Sequence, residues 1–148
     1  MKGTYLLEFS LGAPLSFTLR SSRRVCLSPG VYFYAGSAFG GGGIYARLSR
    51  HLRKDKKKHW HLDFVTTSEL FTPLSVIVVP ELPVECSLAS TVSRFSVPVP
   101  GFGASDCRCS SHLFLAGEPE AVKEAVLKTF PGAKILKISQ LKGLADEF

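Results

Sequence analysis

Polar and apolar positions alternate along residues 3–9 and again from Leu15 to Leu19, after the turn residues Gly12-Ala13-Pro14, a pattern that predicts a β-hairpin. A third extended segment, Gly30 to Gly36, is rich in aromatic strand formers and predicts a third antiparallel strand. Past the glycines at 40–43 the period changes. Ile44, Arg47, Leu48, His51 and Leu52 fall at i, i+3, i+4, i+7 and i+8, the spacing of one helix face. A basic loop, Arg53 to Lys58, follows, and apolar character resumes from Trp60 to Val65. Leu74 to Val79 reads as a buried strand, with Pro73 and Pro80 breaking its surroundings into strand-sized pieces. Pro83 to Phe95 predicts a second helix on which Glu85, Leu88, Ala89 and Val92 share a face. After the Pro98/Pro100 loop, Ser111 to Ala116 predicts a strand. Glu118 to Phe130 predicts a helix with acids in its first turn and Lys128 in its last, and Lys134 to Ile138 a closing strand. The succession is that of a mixed α/β domain, with no internal repeat or linker to divide it.

Composition narrows the classes. A chain of 148 residues is one domain's worth, able to bury roughly two-thirds of its unfolded surface. Eighteen Lys and Arg against twelve Asp and Glu leave a formal charge of +6, which makes a polyanion the first partner to consider. The longest nearly uncharged stretch, Leu70 to Pro80, is far short of the roughly 20 apolar residues that span a bilayer. Glu8 interrupts the N-terminal apolar run before it reaches signal length, so the expectation is a cytoplasmic protein with no membrane association. In that compartment Cys26, Cys86, Cys107 and Cys109 are expected to be reduced.

Polar residues at inward-facing positions carry the chemistry. Arg47 and His51, one turn apart, either run out to water along their stems or face a cleft. Glu85, on an apolar helix face, requires an ion pair or a divalent metal. The Cys107-x-Cys109-x-x-His112 cluster, with Cys86 or His59/His61 as a further ligand, invites zinc. Its one-residue cysteine spacing is shorter than that of structural zinc sites, and buried reduced thiols are the preferred reading. The glycine run lacks the Lys-Ser/Thr ending of a phosphate loop. Arg50, Arg53, Lys54, Lys56, Lys57 and Lys58 form either a solvated face or a footing for phosphates. Trp60 beside them is either core or a stacking surface for a base.

Gly3-Thr4-Tyr5 and Tyr34-Ala35-Gly36, followed by Arg47, His51 and Glu85, resemble the two halves and the downstream residues of the GIY-YIG nuclease signature. Four blocks are similar to the Uri-type branch of that superfamily, whose members are sometimes fused to endonuclease III. They are residues 32–38, Arg47-Leu48-Ser49-Arg50-His51-Leu52, His59-Trp60-His61-Leu62-Asp63, and the stretch from Phe102 to His112 that holds Ser105, Asp106, Cys107 and Cys109. The resemblance implies a central antiparallel sheet flanked by helices, extended by the N-terminal hairpin, over residues 1–148. It implies phosphodiester hydrolysis in DNA, at damaged or structured sites, with one Mg2+ or Mn2+ ion; the cysteine spacing separately argues against a structural zinc. Carried over, Glu85 holds the metal, Arg47 stabilises charge on the phosphoryl oxygens, and Tyr5, Tyr34 and His51 position or deprotonate water. The basic residues named above, with His61, Ser105 and Asp106, supply the nucleic-acid surface. One departure is that the chain has no asparagine anywhere, whereas many members carry one downstream of the glutamate. Ser105 and Asp106 are the candidates to replace it. The alternative is a noncatalytic nucleic-acid-binding module of the same fold. A repair protein is the expected partner for targeting, and a monomer or weak dimer the expected state.

Overall fold

The first strand, β1 (Gly3–Leu11), is buried along nearly its whole length instead of on alternate positions. The reason lies in its place at the middle of a sheet covered on both faces. The computed structural model describes residues 1–102, 109 and 111–141. In it β1 pairs along one edge with β4 (Gly30–Ala38) and along the other with β5 (Phe71–Pro80), antiparallel in both cases. Leu7 thus lies opposite both Tyr34 and Val76. The remaining strands complete the order β6-β7-β4-β1-β5-β8, where β6 is Val97–Pro98, β7 Leu113–Ala116 and β8 Lys134–Lys137. All pairings are antiparallel.

The expected hairpin between residues 3–9 and 15–19 does not form. Both edges of β1 are taken by longer partners, and β2 (Leu15–Thr18) instead pairs with β3 (Arg24–Leu27), a strand the sequence pattern did not predict. This ribbon is a separate two-stranded sheet, docked by the stacking of Phe17 on Phe64. Pro73 does not end β5 either. The register with β1 shifts between Glu8 and Phe9, so Leu74 is an extra residue that bulges between Pro73 and Ser75. On its other edge β5 meets β8 only over Ser75–Val78, so Pro73 removes no ladder bond there.

Side-chain alternation sends β1 residues to two cores. Tyr5, Leu7 and Phe9, with Tyr32, Val76 and Val78, pack under Ile44 and Leu48 of α1 (Gly43–Leu52) and Leu62 and Val65 at α2 (Asp63–Thr66). Leu6, Phe33, Ala35 and Ile77 face the opposite way. There they meet Leu88, Ala89 and Val92 of α3 (Glu85–Ser93) and Val122 and Val126 of α4 (Pro119–Thr129). The start of α1 is pinned to the sheet, since the Ile44 N–H donates to the Met1 carbonyl. Gly43 has φ 62°, and a Cβ there would collide with that carbonyl, so only glycine allows the approach. Among the described residues, no helix is long and apolar enough to cross a membrane.

Candidate active site

Tyr5 projects from near the start of β1 toward α1 and is wholly buried. Its cross-strand partner is Gly36, where a Cβ would run into the Tyr5 ring and hydroxyl. The glycine therefore makes the space through which the phenol reaches α1. There the Tyr5 hydroxyl and His51 Nε2 share a hydrogen bond of 2.7 Å. Tyr34, from β4, sets its ring edge-to-face with the same imidazole at 6.0 Å between centroids. Arg47, one turn before His51, acts on both tyrosines through its charge.

Glu85 arrives from the other side of the sheet, as the first residue of α3. Its approach is set by Thr4, whose hydroxyl donates to the Leu82 carbonyl (2.7 Å) and accepts from the Val84 N–H (3.1 Å). The motif Gly3-Thr4-Tyr5 thus holds two structural anchors, one that reaches His51 and one that ties down the loop before α3. The Glu85 carboxylate lies 3.1 Å from His112 Nδ1 and keeps 31% of its side chain exposed. Its charge reaches both tyrosines. The structure therefore brings Tyr5, Tyr34, Arg47, His51 and Glu85 into one electrostatic neighbourhood.

Burial pushes the Tyr5 hydroxyl well above its ordinary pKa, as do Tyr34 and Glu85, while Arg47 opposes them. Tyr34 is raised too, by burial and then by Glu85. His51 is driven down to about 3 by burial and by the Lys56 and Arg47 charges, which keeps the imidazole neutral at physiological pH. Among the described residues nothing hydrogen-bonds its Nδ1. The unfolded chain takes up this proton near pH 6.5, whereas the folded chain resists until about pH 3. Stability from neutral His51 is therefore complete above pH 6.5 and is lost as the pH falls through that window, by about 3 kcal/mol between roughly pH 7 and 4. Urea midpoints measured across this range should fall steeply for the wild type and less steeply for His51→Gln. Parallel curves would remove His51 from the acid sensitivity.

Beneath the site, Asp63 organises the basic stretch. Its buried carboxylate accepts two bonds from Arg50 (2.8 and 2.9 Å) and one each from the His59 and Trp60 N–H groups (2.7 and 2.9 Å). Burial alone would raise its pKa, but these donors outweigh it and hold the carboxyl well below the usual carboxylate range. Lys56 Nζ lies 3.7 Å from Asp63 and donates to the carbonyls of Arg50 and His51 and to the Thr66 hydroxyl. It closes the C-terminal turn of α1, where a cation also meets the helix dipole favourably. Burial lowers Lys56 to about 8, against the pull of Asp63.

The expectation that these cations face solvent or phosphate is corrected for Lys56, whose side chain is 3% exposed. Lys54 is tied to the carbonyls of Thr66 and Ser68. Arg53, Lys57 and Lys58 remain exposed. The loop is further held by Arg20 of the turn joining β2 to β3, which donates to the Lys58 carbonyl. Trp60 carries Arg47 and Arg50 over its ring, 4.4 and 4.1 Å from the centroid. His61 packs edge-on against Phe102. Ser105, Asp106 and Cys107 lie outside the described residues.

Sequence reasoning assigned no role to Thr4, Asp63 or, as the partner of Glu85, His112. Each stood inside a motif block, and that was the available signal. Side by side with Glu85, Cys86 meets Cys109 and His112. No curated protein and no solved structure matches the chain. A family model matches residues 4–135, and the chain therefore belongs to the family described as domain of unknown function DUF123.

Proposed function

We propose that the chain is a divalent-cation-dependent endonuclease of the GIY-YIG superfamily, in its Uri-type branch, hydrolysing phosphodiester bonds in DNA. The observation that supports this reading is the convergence of Tyr5, Tyr34, Arg47 and His51 on one side of a buried hydrogen bond, with Glu85 in charge contact. Glu85 is the residue to hold Mg2+ or Mn2+. A single, partly exposed carboxylate suits ions that keep most of their waters and take substrate phosphate oxygens as further ligands. Such an ion supplies Lewis-acid stabilisation of charge developing on the phosphoryl oxygens.

The chain's own residues supply the rest. Arg47 meets the same charge with a fixed guanidinium, held in place over Trp60. Tyr5 receives a proton from the attacking water and passes its own to His51 Nε2, while the water oxygen bonds to phosphorus, the opposite P–O bond breaks, and the leaving oxygen takes a proton from solvent. Glu85 opposes phenolate at Tyr5 only while its own charge is uncompensated. Burial is the main force that holds His51 neutral, and the negative phosphodiester offsets the Lys56 and Arg47 charges that add to it. Arg53, Lys57 and Lys58 offer exposed cations to the flanking backbone.

The test is incubation of the purified chain with supercoiled plasmid and with branched and lesion-bearing duplexes. Nicking is expected to require Mg2+ or Mn2+, to stop on chelation, and to fall by about 10²–10³ in Arg47→Ala. Absence of cation-dependent cleavage on all of these, with DNA binding intact, overturns the enzyme reading in favour of a binding module.

A further inference from the structure

We infer that Cys86, Cys109 and His112 form a binding site for a thiophilic divalent ion, Zn2+, apart from the carboxylate site proposed for Mg2+ or Mn2+. The ligand atoms these three residues offer all lie within 4.8 Å of one another. In tetrahedral coordination, with Zn–S of about 2.3 Å and Zn–N of about 2.0–2.1 Å, neighbouring ligand atoms stand roughly 3.5–3.8 Å apart. Closure of the site thus needs a contraction of about 1 Å, within the reach of side-chain rotation at an exposed Cys86 and a half-buried Cys109.

The donor set decides the metal. Two thiolates and an imidazole are soft to borderline ligands that favour zinc and give a hard ion such as Mg2+ little to hold. Their distribution along the chain is also that of a metal clip. Cys109 and His112 stand with two residues between them, just before β7, and Cys86 comes from the first turn of α3. The one-residue spacing that argued against zinc concerned Cys107 and Cys109. The folded chain brings together a different set. A cavity of about 210 Å3, bordered by Cys86, Ser90, Ser93, Cys109 and Ser111, leaves room for water as the fourth ligand. The Glu85 carboxylate lies 3.1 Å from Nδ1 of the His112 imidazole. Binding converts two thiols to thiolates, so each Zn2+ taken up releases two protons to solvent.

The experiment uses the full chain, reduced and stripped of metal, titrated with Zn2+ alone and separately with Co2+. One ion per chain is expected, with two protons released per Zn2+ at a pH below the thiol pKa. The Co2+ form should develop thiolate-to-metal charge-transfer absorption of tetrahedral type. Cys86→Ser and Cys109→Ser should each weaken Zn2+ binding by at least about 100-fold, and Cys26→Ser should leave it unchanged. The wild-type Co2+ spectrum reports whether thiolates bind the ion even if a variant fails to fold. Sub-stoichiometric Zn2+, a bound ion without the thiolate signature, or full affinity in both variants overturns the inference. None of these readouts depends on cleavage.

Discussion

Replacing Glu85 by glutamine is expected to lower cation-dependent cleavage on the order of 10³-fold while leaving DNA affinity within about twofold of the wild type. The substitution removes one negative charge and little else. The side chain keeps its volume, remains partly exposed, and retains a carbonyl oxygen for His112 Nδ1. Folding should therefore be nearly unaffected, because an ion pair with a partly solvated member contributes little. What disappears is the carboxylate charge that acts on both Tyr5 and Tyr34, so the anchor for a hard cation is lost. Single-turnover cleavage under saturating enzyme, set beside fluorescence anisotropy of the same labelled duplex, separates the two effects. Cleavage at the wild-type rate would exclude Glu85 as the metal ligand. An equal loss of binding and cleavage would make it a DNA-contact residue instead.

The second large effect is expected at Asp63. Asp63→Asn should cost about 3 kcal/mol of stability, read as a drop in the urea midpoint at constant slope. The shape is conserved and the charge is not. Lys56 is left almost wholly buried beside a neutral amide, and Arg50 loses a two-pronged carboxylate partner. Asparagine also presents an NH2 group where the carboxylate accepted from the His59 and Trp60 N–H groups, so one donor now faces another. Removing one partner of a buried pair is the costly direction, and Arg50, being partly exposed, can escape to water while Lys56 cannot. Lys56→Met on the Asp63→Asn background should recover part of the loss. A midpoint change equivalent to less than about 1 kcal/mol would show that the loop is held by its backbone contacts alone.

These two residues illustrate what the chain reveals in linear form. Glu85 was conspicuous because a carboxylate interrupts an apolar helical period, and the same logic exposed Arg47 and His51. Asp63 was not conspicuous, since an acid that follows a basic run reads as surface. Its burial depends on four donors assembled by folding, and none is visible in a periodicity. Lys56 was misread for the matching reason, because a lysine among lysines looks solvated until a helix end and a threonine hydroxyl are placed around it. Strand pairing was the other blind spot. Alternation identified the extended segments, but it could not say that β1 would be flanked by β4 and β5, which requires knowing which partners match its length. Pro73 ended the predicted strand because a bulge that tolerates proline leaves no local signature. Helix faces, by contrast, were legible almost residue by residue, since Ile44, Leu48, Leu88, Ala89 and Val92 are all buried as their spacing requires.

The indole at position 60 has a use beyond packing. It is the chain's sole tryptophan, and two guanidinium groups, one of them assigned to phosphate, rest over its ring. An indole's emission responds to the charges beside it. Any anion that draws Arg47 away from that ring changes the field felt by the only such fluorophore in the molecule. The protein thus carries an optical gauge of its own occupancy at the place where the chemistry is proposed to happen, and it can be read without a label.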